Sequence, residues 1–107
     1  MIEVPLMSFP AIDNLPPIHP GEFLRDELEA LDMGAGKFAI YIGEPTSAVT
    51  EIINGKMGIS GLMALKLSRA FGTTPQYWLN LQDMHDTKKA LANNAASILS
   101  TRPLHAT

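Results

Sequence analysis

Apolar positions recur along this chain with a helical period, and glycine or proline interrupts them at short intervals. From Pro20, the residues Phe23, Leu24, Leu28 and Leu31 form one apolar stripe, while Arg25, Asp26, Glu27 and Glu29 fill the other face. Proline suits a first helical position, and Glu22 lies where negative charge favours a helix N-terminus. Two glycines in Met33-Gly34-Ala35-Gly36 predict the stop. A short second helix is expected over roughly Lys37 to Ile42, with Phe38, Ala39 and Ile42 inward. Gly43 then supplies a positive φ and Pro45 forbids continuation. The third helix runs from Thr46 to Asn54 on Val49, Ile52 and Ile53, closed by a left-handed cap at Asn54-Gly55. Ser60 caps a fourth helix that ends at Gly72 and buries Met63, Ala64, Leu67 and Phe71. Thr74-Pro75 starts a fifth, which carries Trp78, Leu79, Leu81 and Met84 and extends past Lys89 towards Ala96.

The flanks have no such period. Residues 1–17, with Pro5, Pro10, Pro16 and Pro17, predict an extended N-terminal arm; residues 93–107 predict a helical or frayed tail. Residues 18–92 form the domain between them. The class is all-α, a compact five-helix domain with a helix-turn-helix at about residues 37–54. Two short helices meeting across a tight turn are the arrangement that pushes a helix into the DNA major groove.

A length of 107 residues and a hydrophobic fraction of 46% limit the chain to one modest core. The absence of cysteine excludes disulfides and thiolate metal sites and suits a reducing compartment. Residues 1–17 have neither a basic n-region nor an apolar run long enough for a signal peptide or membrane span, so a cytoplasmic protein is expected. His19, His85 and His105 are scattered, which argues against a metal, and no cofactor is expected. With no glycine-rich phosphate loop and no HExxH pattern, binding is favoured over catalysis.

Charge changes the picture more than composition does. Net charge is −3, but through Glu51 there are nine acidic residues against Arg25 and Lys37 alone. After Glu51 six basic residues face only Asp83 and Asp86. A basic half can meet phosphate while an acidic first helix meets a basic partner; chance clustering of solvated charges is equally consistent.

Several ordered segments carry a family resemblance over roughly Pro17 to Ala90. They are Ile18-His19-Pro20-Gly21-Glu22, Glu51-Ile52-Ile53-Asn54-Gly55-Lys56, Ala64-Leu65-Lys66-Leu67, Phe71-Gly72-Thr73-Thr74-Pro75 and Tyr77-Trp78-Leu79-Asn80-Leu81-Gln82. In this order the chain resembles the HigA-type antitoxins, also called VapI-like, of the Xre/Cro-repressor helix-turn-helix superfamily. The resemblance implies a lambda-repressor-like domain and the antitoxin of a type II toxin–antitoxin system. Such antitoxins bind a small mRNA-cleaving toxin and repress their own operon as homodimers, so operator DNA, a cognate toxin and a second copy are the implied partners.

Base recognition then falls to Thr46, Ser47, Thr50, Glu51 and Asn54 on the exposed side of the third helix. Lys37, Lys56 and Lys66 are the nearest candidates for neutralising phosphate. Thr46 is equally a cap, Asn54 equally a terminator, and Glu51 repels phosphate unless it meets cytosine. Trp78, Leu79 and Leu81 are candidates for the dimer interface, with Trp78 open to a core role as well. Asn80 and Gln82 are open to bonding across that interface or to a solvated face. The family's usual arginine or glutamine at the start of the second helix is missing, Glu44 occupies a turn position usually small and apolar, and Ile40 and Tyr41 are expected to be exposed. These departures support an alternative: a protein-interaction module or solitary transcriptional regulator with weakened DNA binding.

Overall fold

The computed structural model describes residues 15–105, and the arm expected over residues 1–17 lies mostly outside them. Five helices appear in order: α1 (Pro20–Ala30), α2 (Ala35–Ile42), α3 (Thr46–Ile53), α4 (Gly61–Phe71) and α5 (Pro75–Ser100). Among the described residues there is no strand. Residues Ile18–Asp83 form one compact unit. From Met84 the chain belongs to a second unit, whose described part continues α5 with a non-helical backbone at Asn94 (φ −136°, ψ 26°).

Local chemistry explains most helix ends. His19 begins α1 by accepting the Gly21 N–H at Nδ1, 2.9 Å away. Ser60 Oγ accepts the Met63 N–H at 3.1 Å to cap α4, and Thr74 Oγ1 accepts from Tyr77 N–H at the start of α5. Three helices close by the same paired bonds. In α1, Met33 N–H reaches Leu28 O and Asp32 N–H reaches Glu29 O, with Asp32 left-handed at φ 52°. In α2, Glu44 N–H reaches Ala39 O and Gly43 N–H reaches Ile40 O, with Gly43 at φ 72°; in α3, Lys56 N–H reaches Glu51 O and Gly55 N–H reaches Ile52 O, with Gly55 at φ 77°.

Three expectations change here. The glycine pair does not stop α1: Asp32 takes the left-handed turn, as short polar side chains tolerate it, and Gly34 becomes the N-cap of α2. Ala35 and Gly36 therefore join α2, which starts two residues earlier than the pattern suggests. Leu31 is the C-cap of α1 and 55% exposed, so it leaves the stripe that Leu24 and Leu28 bury. Asn54 stays right-handed (φ −84°), and the left-handed residue after α3 is Gly55 alone.

The core collects Leu24, Leu28, Phe38, Ala39, Val49, Ile52, Ile59, Met63, Ala64, Leu67 and Trp78. Trp78 is fully buried, its indole N–H donates to Thr73 Oγ1 at 2.8 Å, and Phe71 stands between it and Phe38 with centroids 5.9 and 5.2 Å away. This corrects the assignment of Trp78 to a dimer interface: its ring lies wholly in the core of its own subunit and has no surface left for a partner. Leu79 and Leu81 are half-buried against the same core.

Candidate nucleic-acid interface

α3 packs its inner side through Val49 and Ile52, which are almost completely inaccessible to solvent. A helical period that buries those two positions turns Thr46, Ser47, Glu51 and Asn54 outward, and all four are exposed. Thr50 is half-buried, and its hydroxyl donates back to Ser47 O at 3.1 Å and Thr46 O at 3.2 Å. With its proton committed to the helix, the Thr50 hydroxyl has only its lone pairs left to offer outward, as an acceptor. Thr46 does not cap the helix; Pro45 is the N-cap and no side chain bonds there.

Lys37 and Lys56 flank this surface and are both exposed. The starts of α2 and α3 adjoin, since a side chain on Gly36 would come within 3.9 Å of the Thr46 hydroxyl. α2 begins without a side-chain cap, so its first backbone N–H groups and positive dipole end lie beside Lys37. Lys66 is different. Its ammonium sits 2.6 Å from Glu44 Oε2 and 3.5 Å from Gly43 O, so it latches the α2–α3 turn and its charge is already matched.

The other end of α3 is held by contacts that periodicity could not reveal. A Cβ on Gly21 would lie 1.8 Å from Ile52 O, so α1 and α3 touch backbone to backbone at that point. Arg25 Nη2 reaches Ile53 O at 3.4 Å, a weak bond to a terminal carbonyl of α3. His19 packs its ring beside Gly55. Gln82 Oε1 accepts the Ile59 N–H at 2.7 Å, an intramolecular contact that neither expectation for Gln82 included. Its one available signal was the four-residue spacing from Trp78, which places both on one helical face. Asn80 accepts from Gln76 Nε2 at 2.9 Å on the exposed side of α5.

Exposed apolar residues lie on α2 as well. Ile40 and Tyr41 are 82% and 72% exposed, as expected. Tyr41 lines an open groove of about 410 Å³ with Ile42, Leu65, Lys66, Arg69 and Ala70.

Two short helices at a latched turn, with the second clamped to a core and its polar flank open, define the helix-turn-helix class of DNA-binding proteins. The helix-turn-helix family matches residues 24–78, about half of the chain. Virulence-associated protein I of Dichelobacter nodosus is 42% identical over 86 residues, covering 78% of this chain and 80% of that protein. Among solved structures, a HigA-family addiction module antidote protein from Coxiella burnetii superposes with a TM-score of 0.81 at 46% identity, covering 83% of this chain and 99% of that one. Pseudomonas aeruginosa antitoxin HigA, solved with the higBA promoter, gives a TM-score of 0.78 at 39% identity over 82% of this chain and 98% of that one. The chain belongs to the HigA/VapI-type branch of the Xre-like helix-turn-helix family, whose members bind and regulate without catalysis.

Proposed function

We propose that this protein is the antitoxin of a type II toxin–antitoxin pair, binding its own operator as a homodimer and neutralising an mRNA-cleaving toxin by direct contact. The observation that carries this is the exposed Thr46, Ser47, Glu51 and Asn54 flank of α3 on a helix clamped at both ends, in a family whose Pseudomonas aeruginosa relative is solved with its promoter. Lys37, Lys56 and the uncapped start of α2 supply the phosphate contacts that position α3 over the bases. Each subunit then contributes one α3, with the two about one turn of DNA apart. Leu79 and Leu81 on α5 keep part of their surface for the second copy.

The toxin's RNA-binding face has to be basic, and Glu22, Asp26 and Glu29 on exposed positions of α1 are its complement. The Pro-rich sequence of residues 1–17 is a second candidate for the toxin contact. No helix among the described residues is long and apolar enough to cross a membrane.

A second reading is favoured by one observation: Glu44 neutralises Lys66, leaving few uncommitted cations near α3. In it the protein binds a partner or regulates alone, and touches DNA only weakly. A salt-titrated gel shift on the protein's upstream DNA separates the two. Operator binding predicts a Kd well below about 10 µM at about 150 mM salt; a value above it, no tighter than on unrelated duplex, selects the second reading. Thr50→Asp is expected to abolish the shift while far-UV circular dichroism and dimer mass stay unchanged. Survival of repression in that variant refutes α3 as the recognition helix.

A further inference from the structure

The chain leaving α3 has two tasks: it exposes Lys56 and then returns Ile59 to the core. Its first half is closed by the Lys56 and Gly55 N–H bonds to the last turn of α3. Its second half ends where Ser60 caps α4. Between these closures Met57 and Gly58 are exposed, and Ile59 is only 5% exposed. The Ile59 N–H is bonded from another element, by Gln82 Oε1 of α5.

Gly58 fits that contact. Its φ is not positive, so no left-handed backbone calls for a glycine here. A Cβ at this position would instead lie 3.0 to 3.1 Å from Oε1, Cδ and Nε2 of Gln82. The missing side chain makes room for the amide. Gln82 is one helical turn beyond the buried Trp78, so the packing of α5 on the core fixes where its side chain starts.

We propose that Gln82 is a positioning residue for DNA binding, holding the segment that carries Lys56 in the register at which the ammonium meets a backbone phosphate. This rests on α3 being the recognition helix. It ties phosphate contact to α5, so a movement of α5 at Gln82 is transmitted to Lys56 through Gly58 and Ile59.

The test uses the full chain and a duplex that the wild-type protein selects from a random pool, with affinity followed by anisotropy over a range of salt. Lys56→Ala should flatten the log–log salt slope by about 1.8, for the two equivalent phosphates of a dimer. Gln82→Leu removes the acceptor but keeps an apolar body, and should weaken binding roughly tenfold with most of the same loss of slope. The Gln82→Leu/Lys56→Ala double variant should bind no more weakly than Lys56→Ala alone. Hydrogen exchange at the Ile59 amide should accelerate in Gln82→Leu and remain protected in Gln82→Glu, which keeps an acceptor oxygen. A Gln82→Leu slope equal to wild type, or additive losses in the double variant, overturns the role of Gln82. A wild-type slope in Lys56→Ala overturns the placement of Lys56 on DNA instead. If Gln82→Leu does not fold, Gly58→Ala displaces the same amide and must show the same loss of slope.

Discussion

The two ends of α3 are held by opposite means. At its start, the turn from Gly43 to Pro45 is tied by an ion pair, with Lys66 and Glu44 retaining 28% and 19% of their side-chain exposure. At its finish, α1 lies against the backbone at Ile52, and neutral or singly charged hydrogen bonds reach Ile53 and Ile59. A partly exposed ion pair is worth at most about 1 kcal/mol, whereas close backbone packing tolerates no added atom. The finish is therefore the rigid end and the start the adjustable one. The difference also matters for DNA. The latch at the start uses up a lysine, while at the finish Ile59 is tied by an uncharged amide and Lys56 stays exposed.

The most severe way to break this contrast is Gly21→Ala. The added carbon would meet Ile52 O at 1.8 Å, so α1 and α3 must separate, with an expected loss of about 3 kcal/mol in the urea unfolding free energy. A wild-type midpoint would mean that the close approach does not exist. Gly55→Ala should have a smaller effect, because its Cβ would find His19 at an ordinary 3.7 Å and only the left-handed backbone is penalised. Roughly 1–2 kcal/mol is expected, with Gly55→Asn losing less in the same assay. Lys66→Met should have the least effect on stability, under about 1 kcal/mol, and the difference from wild type should shrink as salt is raised. A loss above about 2 kcal/mol that ignores salt would show that the turn depends on its ion pair as heavily as the far end depends on packing.

Much of this architecture was legible beforehand. Helix number and order follow from the apolar period, and Ser60, Thr74, Gly43 and Gly55 sit at the ends that their chemistry predicts. Glycine misled at Gly34 and Gly36, since the same residue that stops one helix also serves as an N-cap for the next, and local sequence does not say which. At Trp78 the pattern left two roles open, core and dimer interface, and burial selects the core. An apolar stripe states that a residue is buried, but not whether its own subunit or another covers it. The outward side of α3 was predictable because Val49 and Ile52 leave only one way to turn it.

What the chain's linear order determined, then, was every feature whose cause lies within a few residues: helical period, caps, left-handed turns and the family's ordered motifs. Tertiary structure alone decided which side chains meet across the fold. Lys66 and Glu44 are 22 positions apart, and Ile59 and Gln82 are 23 apart. No period or propensity links positions at such separations. Packing the helices around Trp78 and Leu67 brings them together, and that packing determines which lysine is latched to a carboxylate and which stays exposed.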